Sequence, residues 1–316
     1  MHTILFTGLG SIGRRHLRLL MELESEFDIH AYRSRGSDGE LDAVTEHDSL
    51  DSALAVSPDV AFITNPTSLH VETAIRCAKS GADLFIEKPL SDSIGGIDEL
   101  RRICDEKELL TYVGCQLRFD PILNRLKTIL IDEEYGGMLS FRAYSGSYLP
   151  DWRPEKDYRN TYSAQYELGG GVALDLIHEI DYSYWIFGRP ARTVHLSGQA
   201  STLETTVEDY VELSLETVDG VPGHIHLDYF RPTPRRTLEV TCEDGVLTAD
   251  LICKTLTIET TERTEQIEYD YHRDDVFRRQ LNHFFDYLER REPFENDISE
   301  AEDVLRIALN LRNEYR

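Results

Sequence analysis

A strand-forming run that breaks onto spaced glycines and restarts as a helix leaves a chain few ways to fold. Here the run is Ile4-Leu5-Phe6-Thr7, followed by Gly8-Leu9-Gly10-Ser11-Ile12-Gly13 and then by Leu17, Leu20 and Met21 at helical intervals. In that order each glycine has a task. Gly8 permits a tight turn, Gly10 lets backbone approach a pyrophosphate with no Cβ in the way, and Gly13 allows helix and strand to pack closely, with phosphate meeting the N–H groups of the helix start. A glycine-rich turn with no ligand uses the same triplet, so strand, glycines and helix in sequence carry the argument rather than the glycines alone.

The chain continues as it begins. Strands are expected at 27–32, 59–64, 83–86 and 110–115, separated by helical stretches, and this alternation indicates a doubly wound parallel sheet. The second strand ends in Arg33-Ser34-Arg35, with no acidic residue of the kind that takes ribose hydroxyls in an NAD site. Two guanidinium groups and a hydroxyl suit a 2′-phosphate instead, so NADP is expected, with NAD possible. A solvated turn is the bland reading of the same residues.

Asp120-Pro121 has the form of an N-cap followed by proline at the first helical position. The domain boundary is expected there, giving a Rossmann domain over 1–119 and an α+β domain over 120–316. Beyond it strands come in series, at 139–147, 192–200, 207–217, 223–230, 237–241, 246–250 and 255–259. Many alternate polar with apolar residues, as in an antiparallel sheet with one covered face. A largely buried apolar helix is expected after Gly171, stopping at Gly188, and helices over 274–290 and 299–315 close the chain.

Acidic residues number 58 against 33 basic, for a net charge of −25. Such a surface repels nucleic acid and anionic membranes, so neither is an expected partner. Spread along the whole chain, the excess also suggests adaptation to high salt, where self-repulsion is screened. The five cysteines are scattered without the paired spacing of a zinc site and read as small buried residues in a reducing compartment. Met1-His2-Thr3 leads directly into the first strand and no apolar run is long enough to span a bilayer, so a cytoplasmic location is expected. His224, His226 and Asp228 alternate on one strand face, but alternating polar residues are ordinary on the solvated or subunit-facing side of a sheet, and no metal is expected.

Several segments together resemble the Gfo/Idh/MocA family of NAD(P)-dependent oxidoreductases. They are the stretch from Gly8 to His16, Asn65-Pro66-Thr67 with His70, Glu87-Lys88-Pro89, and Gly169-Gly170-Gly171 running through Asp175 to His178. The resemblance implies a Rossmann domain followed by an open, mostly antiparallel sheet, and a homodimer or homotetramer built through that sheet. It implies cofactor contacts from Gly8, Gly10, Ser11, Ile12, Gly13, Arg33, Ser34, Arg35, Asn65, Pro66, His70, Glu87, Lys88 and Gln116. It also implies a catalytic set of Lys88, Asp175 and His178, with Glu179 as the alternative to His178, since some members are one residue longer here.

The stretch from Tyr148 through Trp152 and Arg153 to Tyr158 is similar to a loop in members linked to surface polysaccharides and acidic sugars. It suggests a sugar or nucleotide-sugar substrate, met by Arg118, Tyr148, Trp152, Arg153, Tyr158 and Tyr162. Aromatic faces stack on sugar C–H surfaces and arginines bind phosphate or carboxylate, though each residue alone reads equally well as loop packing. The implied activity is hydride transfer between a nicotinamide and a sugar carbon. A glycosidase with transient oxidation and a catalytically silent NADP-binding regulator are the alternatives. Retention of Lys88, Asp175 and His178 speaks against the regulator.

Overall fold

The structure is a computed structural model that describes residues 2–23, 26–33 and 43–313. The chain divides into two compact units, 1–115 with 277–305 and 116–276 with 306–316.

The first unit contains β1 (His2–Thr7), α1 (Ser11–Met21), β2 (Phe27–Tyr32), β3 (Thr45–His47), α2 (Leu50–Leu54), β4 (Val60–Ile63), α3 (His70–Ser80), β5 (Asp83–Glu87), α4 (Ile97–Glu106) and β6 (Thr111–Gly114). Its sheet has the order β3-β2-β1-β4-β5-β6 with every neighbouring pair parallel. The change of direction on either side of β1 puts the topological switch beside the glycine loop, where such sheets bind ligands. α3 stops at Gly81, whose φ of 96° gives the left-handed cap. The short strand β3 was not foreseen, because three residues are too few to show a period of two.

The sequence pattern places both closing helices in the second domain. The structure groups 277–305 with the first. Phe6, Phe62 and Phe85 stack through the sheet at centroid distances of 4.8 and 4.5 Å, and Phe284 of α8 (Arg273–Arg290) lays its ring edge on Phe85 at 5.2 Å. Gln280 donates to the Tyr112 hydroxyl at 3.1 Å and the Asn296 side chain to the Val113 carbonyl. The apolar stripe of α8 therefore completes the first core, a pairing of distant segments that local pattern does not encode. α9 (Ile298–Asn313) runs from the first unit into the second.

The second unit begins with a 3₁₀ turn at Gln116–Phe119 and α5 (Pro121–Ile131), which Asp120 caps by accepting from the N–H groups of Ile122 and Leu123. Then come β7 (Met138–Gly146), α6 (Val172–Asp175), α7 (His178–Phe187), β8 (Pro190–Gly198), β9 (Tyr210–Thr217), β10 (Pro222–Asp228), β11 (Arg235–Cys242), β12 (Val246–Asp250), β13 (Thr255–Glu259) and β14 (Thr264–Glu268). The sheet order is β14-β13-β12-β11-β7-β10-β9-β8, antiparallel throughout except for β7 with β10. α7 packs on it through Phe187, stacked at 3.9 Å on Phe141 of β7.

Two expectations need correcting. A single helix from Gly171 to Gly188 is in fact two, α6 and α7, broken at Leu176 with ψ of 31°. Cys253 is exposed in the turn after β12, whereas the other four cysteines are buried. Among the described residues no helix is long and apolar enough to cross a membrane.

Candidate active site

The glycine loop of the first unit is built as its spacing demands. Gly8 has φ of 129°, and a Cβ there would meet Asn65 backbone at 2.9 Å; at Gly13 it would lie 2.2 Å from the Gly8 carbonyl oxygen. Thr64 ties the turn by donating its hydroxyl to that carbonyl at 2.6 Å. Gly10 differs: a Cβ there would meet nothing within 4 Å. It is exposed, as is Ser11, and it stands at the N-cap of α1 with no side-chain capping bond and no acidic residue in the first turn. An uncapped helix start of this kind presents N–H groups to an anion. The residues present thus fit a dinucleotide pyrophosphate, with Gly10, Ser11 and Ile12 to hold it.

Behind the loop the other motif residues bind one another. His16 Nε2 lies 2.5 Å from Glu87 Oε1, both side chains buried, with the imidazole edge-on to Phe85 and Phe277. Helix α1 is thereby fastened to the end of β5. His70 is buried with Nδ1 2.9 Å from the Pro89 carbonyl and Nε2 2.9 Å from the Asn65 carbonyl. Burial pushes its pKa down. Asn65 donates to the Thr73 hydroxyl at 2.8 Å, and Pro66 is exposed. Glu87 and His70 are therefore braces of the two turns, and Lys88, half-buried, follows directly at the carboxyl end of β5 with its own N–H donating to Glu87 Oε2 at 3.2 Å.

Arg33 at the end of β2 is held 3.5 Å from Glu46, which β3 brings alongside by pairing Glu46 with Ala31. The sequence reading found no carboxylate at this strand end, because the acid arrives on a neighbouring strand. Ser34 and Arg35 lie outside the described residues.

In the second unit Asp175 ends α6, buried, and accepts from the Tyr229 hydroxyl at 2.6 Å. The negative charge of Asp175 first, and burial second, hold the Tyr162 hydroxyl well above its ordinary pKa. Burial first, then Asp175, does the same at Tyr229. Glu208, 1% exposed, accepts from the Ala173 N–H at 3.2 Å. Burial pushes its carboxyl up to about 7. His178 opens α7, buried, past the break at Leu176, so it and Asp175 do not ride one continuous helix. Glu179 is completely buried in an ion pair with Arg236 of β11, 2.7 Å away. Tyr229 and Glu208 were missed by the sequence reading; no motif marks them, and only the fold brings them to Asp175.

Residues 2–115 match the oxidoreductase family with an NAD-binding Rossmann fold, and residues 123–248 match the Gfo/Idh/MocA C-terminal domain. The chain belongs to the Gfo/Idh/MocA family. Myo-inositol 2-dehydrogenase of Thermotoga maritima is 26% identical over 60% of this chain and 56% of its own length. The chain spans about half the length of the curated relatives it matches. Two solved structures share the fold: UDP-N-acetylglucosamine 3-dehydrogenase from Acidithiobacillus ferrooxidans (19% identity, TM-score 0.80, 99% of this chain and 97% of that one) and levoglucosan dehydrogenase in complex with NADH (15%, 0.87, 99% and 96%).

Not every residue taken over from the Gfo/Idh/MocA resemblance stands ready for a ligand. Arg118 is buried and donates from Nε and Nη2 to Asp181, with Trp185 6.0 Å from its guanidinium. A guanidinium in a buried ion pair anchors helices rather than meeting substrate. Gln116 is buried in the same turn. Trp152 donates to Ser147 at 2.8 Å and sets its ring edge-on to Tyr229, and the Tyr158 hydroxyl accepts from the Glu204 N–H at 3.0 Å. These two, with Arg153, line a space of only about 10 Å³, smaller than a sugar by far. Tyr148 and Tyr162 keep exposed surface, and Arg153 lies 5.4 Å over the Tyr162 ring. His224 and His226 are joined through Glu212, at 2.8 and 2.6 Å, and His226 continues to Asp228 at 2.9 Å. The polar stripe is thus a hydrogen-bonded chain, and Glu212 is a partner that sequence distance concealed.

Proposed function

We propose that this chain is an oxidoreductase that moves hydride between a nicotinamide dinucleotide and a hydroxyl or keto carbon of a sugar, a sugar-like polyol or a nucleotide sugar. The observation that carries the reading is the glycine loop, closed to any side chain at Gly8 and Gly13 and open at Gly10 before an uncapped helix. The relatives' names, an inositol dehydrogenase among them, support the substrate class. Bound at the loop, the dinucleotide would supply or take up the hydride.

The protein's own groups do the rest. Oxidising an alcohol to a ketone needs a base for the hydroxyl proton, and His178 fits it by residue type. Asp175, which Tyr229 holds in place, orients that base, and Lys88 steadies the reacting oxygen. Glu179 is set aside as the alternative base, because its carboxylate is buried against Arg236. NADP(H) is the preferred cofactor, with Arg33 as the 2′-phosphate ligand and Glu46 tempering it. The test is a screen of sugars, inositols and nucleotide sugars that follows nicotinamide absorbance. Accumulation of reduced nicotinamide with one class is the expected result. Bond cleavage without net nicotinamide change would replace the reading by a glycosidase, and dinucleotide binding with no turnover of any class would leave a regulator.

A further inference from the structure

Glu208 stands just before β9, far in sequence from any motif. Its carboxylate fills the space that a side chain at residue 171 would need: a Cβ on Gly171, where φ is 123°, would lie 2.4 Å from Glu208 Oε1. The same oxygen accepts from Ala173 N–H, and the Glu208 carbonyl accepts from Val172 N–H at 3.4 Å. Residue 208 thus holds the first turn of the four-residue helix that ends in Asp175, a helix too short to hold itself.

We infer that Glu208 is a positioning residue for Asp175: its buried carboxyl seats the start of α6 and, by holding or releasing a proton, decides whether a second negative charge stands beside Asp175. The groups that act on it come from several segments. From α6 come the Ala173 N–H and the charge of Asp175, from α9 the buried Arg312 guanidinium, and from the segment after β10 the Tyr229 hydroxyl, which in turn donates to Asp175. Burial and Asp175 favour the protonated carboxyl; the N–H bond and Arg312 favour the charged one. The balance falls near neutrality, at about 7. As Glu208 ionises, the added charge strengthens the hold of Asp175 on any cation or proton placed against it, so a base oriented by Asp175 becomes harder to deprotonate.

The consequence for turnover rests on the proposed hydride chemistry; the proton on Glu208 does not, and the two are read separately. Infrared titration of the full chain reads the proton without substrate. A carboxylic-acid carbonyl band should disappear as pH rises through about 7, be absent from Glu208→Gln, and disappear at lower pH in Asp175→Asn, where the neighbouring charge is gone. A wild type without that band, a Glu208→Gln variant that retains it, or an Asp175→Asn midpoint that does not fall would overturn the assignment. In turnover, Glu208→Gln, whose amide oxygen can still accept from Ala173 N–H, should keep the wild-type melting temperature at about pH 5, where the carboxyl is protonated, and lose the inflection in kcat/KM near pH 7. A Glu208→Gln profile that superimposes on wild type would show that the carboxyl only fills space.

Discussion

The two units build their candidate sites from different materials. In the first, the surface offered is backbone: glycines at fixed spacing, a helix start and a turn tied by Thr64, with His16, Glu87 and His70 bracing from behind. In the second it is side chains, and Tyr162, Asp175, Glu208 and Tyr229 come together from separate segments. A backbone site tolerates no change of shape, whereas a side-chain cluster is sensitive to charge. Substitutions in the glycine loop should therefore be read in folding and binding, and those in the side-chain cluster, with Lys88, in rate and pH.

The largest effect expected is on turnover. His178→Ala and Lys88→Ala should each lower kcat by ~10²-fold or more, the usual scale for groups that handle a proton or a developing charge, while the dinucleotide Kd changes little. Steady-state kinetics beside a fluorescence titration of NADPH would separate the two quantities. A folded His178→Ala that turned over at the wild-type rate would move the proton relay elsewhere in the cluster, with Tyr162 the next group to test.

Two glycine substitutions sharpen the contrast inside the first unit. Gly13→Ala drives a Cβ to 2.2 Å from a backbone carbonyl and should cost ~1–3 kcal/mol of stability, with a lower melting temperature even without ligand. Gly10→Ala meets no protein atom and should leave the melting temperature unchanged while weakening the dinucleotide. If both variants lost stability alike, Gly10 would be a fold residue and the open face above it would not be a phosphate site.

This difference also explains what the sequence could and could not reveal. Gly8, Gly10 and Gly13 do their work within six residues, so their spacing is the site. The parallel sheet and most strands of the second sheet were legible for the same reason, since period and turn residues are local. Glu46, Glu208, Tyr229 and Glu212 were not, because each acts on a residue on another element: Arg33, Asp175 and the pair His224 and His226. Arg118 misled in the opposite direction. Its residue type suits an anionic substrate, but only the fold discloses that Asp181 already occupies it. The break at Leu176 likewise escaped a pattern that looked helical throughout.

A smaller effect in the second unit is one of stability against pH. The folded pKa of Glu208, about 7, stands above the ordinary 4.5, so between these values the native state binds more protons than the unfolded chain. Stability from this group is complete below about 4.5 and is lost as pH rises through about 7, by on the order of 3 kcal/mol across the window. Denaturant midpoints measured at several pH values should fall over that range in the wild type and fall less steeply in Glu208→Gln. Equal slopes would mean that the carboxyl is ionised throughout.

The smallest effect returns to the first unit, at the side chains where β2 ends beside β3. Arg33 and Glu46 are 3.5 Å apart and partly buried, and a 2′-phosphate at Arg33 would have to share the guanidinium with a carboxylate that repels it. Exchanging Glu46 for Gln removes the repulsion and keeps the shape. A single ion pair near a protein surface is worth up to ~1 kcal/mol, so NADP(H) should bind up to about fivefold more tightly to Glu46→Gln, with NAD(H) unchanged. Arg33→Ala should act in the reverse direction, weakening NADP(H) and sparing NAD(H). The informative outcome is the sign with NAD(H). If Glu46→Gln weakens NAD(H) instead, then Glu46 is the acceptor for the ribose hydroxyls, supplied by β3 rather than by the end of β2, and the preference runs to NAD(H). Titrating both cofactors against both variants separates a guanidinium that reads phosphate from a carboxylate that reads ribose.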